Sequence, residues 1–418
     1  MTHDLVTLGV EKPAVGGPMV GRAGRRVVLV TGAIPGERVI ARLERVTRSV
    51  AFATTVRVEA ASPDRRPAFD DPRCGGCTYS HIAYPRQLSI KSEVIADAFA
   101  RIGRLELPGT VTVAASPERG YRMRARLHLR GRRIGFFREG THEICDARLS
   151  HQLLPETCDT LDRIAAAAAS LGDTTREIDL SENVAATERV AHIEAPQPMD
   201  PRSVHGITSV PGLTAAPYVT DVLTVRGRPL SLRRHVLAFF QGNRYLLRDL
   251  VAHVAEQVPA GGSVLDLYAG VGVFAVAAAV LRDAHVHAVE GARVAAEDLR
   301  ANAAAAGKGM TTIRADVEAY LAGVRDFRDR AGRPSPQPLV ETVIVDPPRT
   351  GLSREALDGV LRLRTPRIVY VSCDVATLAR DSRVIVDGGY RVDRADAFDL
   401  FPNTPHVETV VVFQGRAH

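Results

Sequence analysis

From Asn243 to the C-terminus, helix-length and strand-length apolar segments take turns, an order that few folds satisfy. A helical run from Leu246 to Val258 leads into a strand, Ser263-Val264-Leu265-Asp266-Leu267, and further strands read at His285 to Val289, Thr342 to Val345, Ile368 to Val371 and Thr409 to Phe413. Strands that alternate with helices pair in parallel and carry helices on both faces of one sheet. The expected fold class is therefore α/β, with a doubly wound, Rossmann-like sheet in this part of the chain. Such sheets bind ligands outside the carboxyl ends of their strands. The segment Ala331-Gly332-Arg333-Pro334-Ser335-Pro336 reads as an inserted loop.

With 418 residues the chain has room for two or three cores. Residues 5–60 alternate short β-like runs with glycine turns, as in Val27-Val28-Leu29-Val30 and Ala51 to Val58, which suggests a small barrel. Gly16-Gly17, Gly24-Arg25-Arg26-Val27, Pro35-Gly36-Glu37 and Ser62-Pro63-Asp64-Arg65 resemble the TRAM domain, an OB-like RNA-binding β-barrel, and place it at 1–62. A central α+β domain is expected at 63–235 and the doubly wound domain at 236–418. The central part holds Cys74-Gly75-Gly76-Cys77, a helical pattern from Pro85 to Ile102 suited to pack on the C-terminal domain, and a helix from Leu154 to Leu171.

Arg122, Arg124, Arg126, His128 and Arg130 alternate with Met123, Ala125, Leu127 and Leu129. On a strand the first set lies on one face and the second on the other. A basic row over an anchored apolar face suits phosphate contacts, so Arg122, Arg124 and Arg126 are candidate RNA-binding residues. Charge points the same way: residues 1–150 hold 25 Lys or Arg against 15 Asp or Glu, net +10, whereas the whole chain is +6. Met1 to Pro18 has no signal-peptide pattern, and the longest uncharged apolar stretch, Leu267 to Leu281, is 15 residues, too short to span a bilayer. A cytoplasmic monomer with no membrane partner is expected. Five cysteines, an odd number, do not make a disulfide framework.

Asp266-Leu267-Tyr268-Ala269-Gly270-Val271-Gly272 leaves the first strand and opens a helix, and Glu290 follows Gly270 by 20 residues at the next strand's end. That spacing suits a nucleoside whose ribose hydroxyls meet Glu290. A nicotinamide enzyme would prefer a third glycine where Phe274 or Ala275 stands. Asp266 suits S-adenosylmethionine better, because that ligand carries a cation and no pyrophosphate. Later strand ends supply Asp346-Pro347-Pro348-Arg349, Ser372-Cys373-Asp374 and the approach to Glu408. A cysteine and a glutamate at two such positions form a nucleophile and base pair.

Ser372-Cys373-Asp374 with Ala376-Thr377-Leu378-Ala379-Arg380-Asp381, Asp346-Pro347-Pro348-Arg349-Thr350-Gly351, Phe239-Phe240-Gln241-Gly242-Asn243, and Phe401-Pro402 with His406 and Glu408 resemble the RNA 5-methyluridine (uracil-C5) methyltransferase family. The resemblance implies a class I, S-adenosylmethionine-dependent enzyme with Cys373 as nucleophile and Glu408 as base. It implies donor contacts from Gln241, Tyr268, Glu290 and Asp346, with Asp266, Gly270 and Asp316 beside them. The target uridine, flipped out of its stack, belongs to ribosomal RNA, 23S favoured, or to transfer RNA. Two positions depart from the family pattern: Val273 stands where Asn is frequent, and Val375 where Pro is.

Relatives with an iron–sulfur cluster show Cys-x5-Cys-x2-Cys and one distant Cys. Cys74, Cys77 and Cys145 match three of these, but the first position is Ala68. Asp70, Asp71 or Cys158 is left to supply a fourth bond, so cluster and no cluster both stay open. A cytosine-C5 enzyme would show Pro-Cys or Thr-Cys at the nucleophile, and an amino methyltransferase an aromatic where Arg349 stands. From another class, a non-catalytic RNA-binding or folding factor would use the barrel and the arginine strand alone.

Overall fold

The structure is a computed structural model, and it describes residues 5–167, 175–193, 216–307, 309–324 and 340–415. The expected loop at 331–336 and the end of the helix expected to reach Leu171 lie outside the described residues.

Five strands, β1 (Leu5–Pro13), β2 (Met19–Ala23), β3 (Arg26–Thr31), β4 (Arg38–Val46) and β5 (Val50–Ala60), close into a barrel in the order β1-β2-β3-β5-β4. Alternate residues such as Val28, Val30, Val39, Ala41 and Ala51 fill its interior. The motif glutamate closes the barrel's far end. Buried Glu37 accepts from the Ile34 amide at 2.9 Å, the Ser62 amide at 3.2 Å and Arg65 Nε at 2.6 Å, which ties Pro-Gly-Glu to Ser-Pro-Asp-Arg.

Helix α1 (Tyr84–Ala98) is a wedge between two cores. Ile90 and Val94 pack into the barrel cluster, and Ile95, Ala98 and Phe99 join the C-terminal core. Beyond it, β6 (Val113–Ala114) pairs in parallel with a strand of the C-terminal sheet at Ala397 and Phe398.

The central sheet is built from β7 (Arg124–Arg130), β8 (Arg133–Phe137), β9 (Ile144–Asp146), β10 (Arg176–Glu182) and β11 (Arg189–Ile193), in the order β11-β10-β7-β8-β9. Helix α2 (Pro155–Ala167) covers one face, where Ala125, Leu127 and Leu129 are buried as the alternation requires. The arginines take the other face. A hairpin, β12 (Tyr218–Val225) and β13 (Arg228–His235), follows.

The C-terminal part contains α3 (Leu247–Glu256), β14 (Ser263–Leu267), α4 (Val273–Arg282), β15 (His285–Glu290), α5 (Arg293–Ala306), β16 (Met310–Arg314), α6 (Val317–Gly323), β17 (Thr342–Val345), α7 (Arg354–Arg362), β18 (Arg367–Ser372), α8 (Val375–Asp387), β19 (Tyr390–Phe398) and β20 (Glu408–Gly415). The sheet order is β16-β15-β14-β17-β18-β20-β19-β6. Strands β14 to β18 run parallel, and β20 returns antiparallel beside β18. Period-two alternation sends Val264, Ile344, Val369 and Val410 to the layer of α3, α4 and α5. Leu265, Val343, Ile368 and Val411 go to the layer of α1 and α6 to α8. The sheet is thus covered on both faces, as a doubly wound fold requires. Strand β18 and its neighbours therefore end at one edge of a rigid slab, where the motif residues collect.

Candidate active site

The first strand end carries the donor-type loop. Tyr268 sits at φ +59°, a left-handed conformation that costs a bulky residue about 1–3 kcal/mol. Its hydroxyl donates to Glu318 Oε1 at 3.2 Å, and Ser353 Oγ donates to the same oxygen at 2.8 Å. Gly270, at φ +58°, has open space where a Cβ would stand, room for a ligand to approach. Gly272 serves packing instead, since a Cβ there would lie 2.6 Å from Leu299 Cδ1. Glu290 Oε2 accepts from the Gly270 amide at 2.7 Å and its Oε1 from the Ala292 amide at 2.7 Å, so this carboxylate braces the loop. Asp316 stands at the N-cap position of α6 without a side-chain bond to the helix, its Oδ1 2.9 Å from where a Gly291 Cβ would be.

Asp266 and Asp346 crowd this end of the sheet, and among the described residues no cation pairs with either. Asp266 is fully buried, and no side chain among the described residues hydrogen-bonds its carboxylate. Burial, then Asp346 beside it, raise its carboxyl well above the usual range. Asp346 is pushed up to about 7 by burial, against a 3.1 Å hydrogen bond donated by Gln241 Nε2. Buried carboxylates held at high proton affinity by desolvation and by each other are a site that gains from a positive ligand. The donor set therefore fits a sulfonium and ammonium-bearing molecule. Val273 occupies the first helical position and is buried in the apolar core. At that position the side chain packs inward and makes no polar contact with a donor.

Cys373 lies between the end of β18 and the cap of α8. Asp374 Oδ1 accepts from the Thr377 amide at 2.8 Å, a side-chain N-cap that fixes the helix start directly after Cys373. Val375 takes the first helical position, where Pro would fit equally because its missing N–H has no partner there. Ser372 pairs with Thr409 across β18 and β20, and continuing that antiparallel register puts Cys373 opposite Glu408. Burial pushes the Cys373 thiol up to about 12, and Glu408 adds to the rise. Glu408 is buried, and burial followed by Asp346 raise its carboxyl well above its ordinary value.

Arg349, which reasoning from sequence passed over as a site residue, is the cation of this centre. It opposes the rise at both Cys373 and Glu408. Its loop is tied to α8, the helix that follows Cys373: Thr377 Oγ1 donates to the Arg349 carbonyl at 3.2 Å, and Arg380 Nη2 to the Thr350 carbonyl at 3.0 Å. His406 also faces it, and burial, then Arg349, depress that imidazole to about 4, so it is neutral at pH 7.

The arginine row has two parts. Arg122 Nη1 donates to Gln152 Oε1 at 2.6 Å, and Arg124 Nε to the Ala238 carbonyl at 3.0 Å with its guanidinium 5.9 Å from the exposed Phe239 ring. Both border the segment that delivers Gln241. Arg126, in contrast, is engaged by Glu177 at 2.9 Å and Asp179 at 3.4 Å on β10, which leaves it less free for phosphate.

Cys74 and Cys145 are joined by a disulfide with Cα atoms 5.6 Å apart. Cys77 is a buried thiol, pushed up to about 12 by burial, and Cys158 lies in the same apolar cluster. Asp71 is held by Arg138 Nε at 2.8 Å. Among the described residues no group of three His, Cys, Asp or Glu is placed to hold a metal ion. With Ala68 at the first position as well, this arrangement does not fit a four-iron cluster, which takes four ligands.

The comparisons with known proteins agree with this geometry. The family described as tRNA (Uracil-5-)-methyltransferase matches residues 213–416. The 23S rRNA (uracil(1939)-C(5))-methyltransferase RlmD of Pseudomonas entomophila is 32% identical over 447 residues, spanning 97% of this chain and 92% of that protein. An uncharacterized RNA methyltransferase of Thermotoga maritima is 30% identical over 424 residues, spanning 92% of this chain and 93% of that one. The crystal structure of the Pyrococcus abyssi tRNA (uracil-54, C5)-methyltransferase, in complex with S-adenosyl-L-homocysteine, aligns with a TM-score of 0.69 at 25% identity, covering 97% of this chain and 99% of that chain. A donor-type loop over unmatched carboxylates, a cysteine opposite a buried glutamate and relatives matched end to end lead to one conclusion: this chain belongs to the family of S-adenosylmethionine-dependent RNA uracil-C5-methyltransferases.

Proposed function

We propose that this protein, acting as a cytoplasmic monomer, methylates C5 of one flipped-out uridine in 23S ribosomal RNA through a covalent adduct with Cys373. The observation that supports the covalent chemistry is the end of β18 beside the start of β20, where Cys373 follows Ser372 and Glu408 precedes its partner Thr409. The ribosomal target is supported by relatives named for that RNA that match 97% of the chain. No helix among the described residues is long and apolar enough to cross a membrane. In this reading residues 1–62 and the face with Arg122 and Arg124 grip RNA, 63–235 links them, and 236–418 performs the transfer.

Uracil C5 is a poor nucleophile. The Cys373 thiolate adds to C6, and the electron pair of the C5–C6 double bond moves onto C5 and O4. S-adenosylmethionine, when bound, would supply an electrophilic methyl group; as C5 takes it up the methyl–sulfur bond would break, its electron pair staying on sulfur to leave neutral S-adenosylhomocysteine. Glu408 then removes the C5 proton, that bond's pair restores the C5–C6 double bond, and the C6–S bond breaks to return the thiolate to Cys373. Arg349 steadies the thiolate at both ends of this cycle. Gln241, Tyr268, Glu290 and Asp346 would hold the donor, with Asp266, Gly270 and Asp316 around them.

The test is to incubate the enzyme with labelled donor and total RNA and map the modified position. Label on C5 of a 23S uridine is expected. Label on transfer RNA alone would favour the Pyrococcus-like target, and label on cytidine would refute the chemistry.

Donor binding carries a pH signature. A cation beside Asp346 favours its ionised form, and in the free protein that carboxyl titrates at about 7. Below that pH a proton must be expelled before the donor binds, so affinity is expected to rise through pH 6–8 and level off above. S-adenosylhomocysteine, which lacks the sulfonium charge, should show a flatter rise when both are titrated calorimetrically.

A further inference from the structure

Glu408 is the first residue of β20, so its placement depends on the nine-residue connection 399–407 that leads into it from β19. That connection is anchored chiefly from outside the catalytic sheet. Asn403 is 1% exposed and left-handed at φ +63°. Its Oδ1 accepts from Gln87 Nε2 at 3.0 Å and from Arg66 Nη2 at 2.9 Å. Its amide donates to Gln87 Oε1 at 2.9 Å, and its carbonyl accepts from the Tyr79 amide at 2.8 Å. Nearer β19, Lys91 Nζ donates to Asp399 Oδ1 at 2.5 Å and to the Phe401 carbonyl at 3.1 Å, a fully buried pair.

All of these partners lie between residues 66 and 91: Arg66 and Tyr79 in the stretch that joins the barrel to α1, and Gln87 and Lys91 on α1 itself. The nucleophile is anchored separately, by the Asp374 cap on α8. Glu408 shares the β18–β20 ladder with the end of β18 and pairs with Phe398 of β19, but the connection that leads into it has anchors the nucleophile's helix does not share. Proton abstraction needs a carboxylate within about 2.6–3.2 Å of its proton, or one water away.

We propose that Asn403, held by Gln87 and Arg66, is a positioning residue for proton abstraction: it sets Glu408 for the C5 proton and plays no part in thiol addition. This rests on the covalent reading above. Asn403→Gly keeps the left-handed backbone and removes the amide. Gln87→Leu removes the partner. Each is compared with wild type on the mapped RNA carrying either uridine or 5-fluorouridine. The fluorinated base has no C5 proton and traps the enzyme without needing the base.

For both variants turnover should fall roughly 10- to 100-fold, the scale of an ångström of misplacement. A protein–RNA adduct should accumulate on uridine RNA in denaturing gels, while trapping by 5-fluorouridine RNA stays within about twofold of wild type on the same positional argument. Asn403→Asp, which keeps the oxygen acceptor, should restore most of the turnover. Unchanged turnover, or a fall in trapping that parallels the fall in turnover with no adduct on uridine, would overturn the proposal. Failure of the wild-type enzyme to form the fluorinated adduct would overturn the covalent reading, and this proposal with it.

Discussion

Cys373→Ala should lower methylation by roughly 10⁴-fold or more, the scale seen when a nucleophile is removed from a covalent mechanism. No other thiol can replace it. Cys77 and Cys158 are buried in the central-sheet cluster, and Cys74 and Cys145 are bonded to each other. Serine should not rescue, because an alcohol ionises far less readily than a thiol already raised to about 12 by burial and by Glu408. Folding should be little affected. The side chain is only part buried, and the Asp374 cap and the Ser372–Thr409 pairing survive the change. RNA affinity, measured by fluorescence anisotropy, is expected to match wild type. A Cys373→Ala protein that still methylates would remove the covalent mechanism, and loss of RNA binding would show that the substitution had done more than delete a sulfur.

Glu408→Gln should separate the two halves of the reaction. Loss of a general base costs about 10²–10⁴ in rate. Because thiol addition and methyl transfer precede its action, a covalent, methylated protein–RNA species should build up and survive denaturation. Stability should move the other way. Burial and Asp346 raise the Glu408 carboxyl well above its unfolded value, so the fold favours the protonated form. That contribution is fully present below the unfolded pKa of about 4.3 and is lost progressively as pH rises from there through the raised folded value. At pH 7 a neutral isostere avoids the penalty, and the melting temperature should equal or exceed that of wild type. A drop in melting temperature would mean that Glu408 is favourably paired in the fold.

Much of this site was legible in the sequence because its signals are local. Strand ends announce themselves by period-two apolar runs followed by glycine or proline. The alternation Met123, Ala125, Leu127, Leu129 was readable for the same reason, and all four are buried. Elements with weak patterns escaped. Strand β19 is largely solvated along its first half, and β6 has two residues. Relationships across the chain escaped as well. Asn403 meets Gln87 from 316 positions away, and Cys74 meets Cys145 from 71. Neither separation leaves a trace in local composition. Arg349 was visible as a residue, but sequence alone could place it only where an aromatic was missing, not between a thiol and a carboxyl.

The two-residue strand β6 has a consequence for how this enzyme can be divided. It lies beyond β19 at the outer margin of the sheet, and α1 beside it lends Ile95, Ala98 and Phe99 to the same core. A fragment beginning at residue 236 would therefore leave a bare strand margin and an apolar hollow, the two features that drive chains to stick together. Transplanting the catalytic part into another protein means carrying residues 84–114 with it. The methyl-transferring unit is, in folding, discontinuous: its boundary runs through space rather than along the sequence.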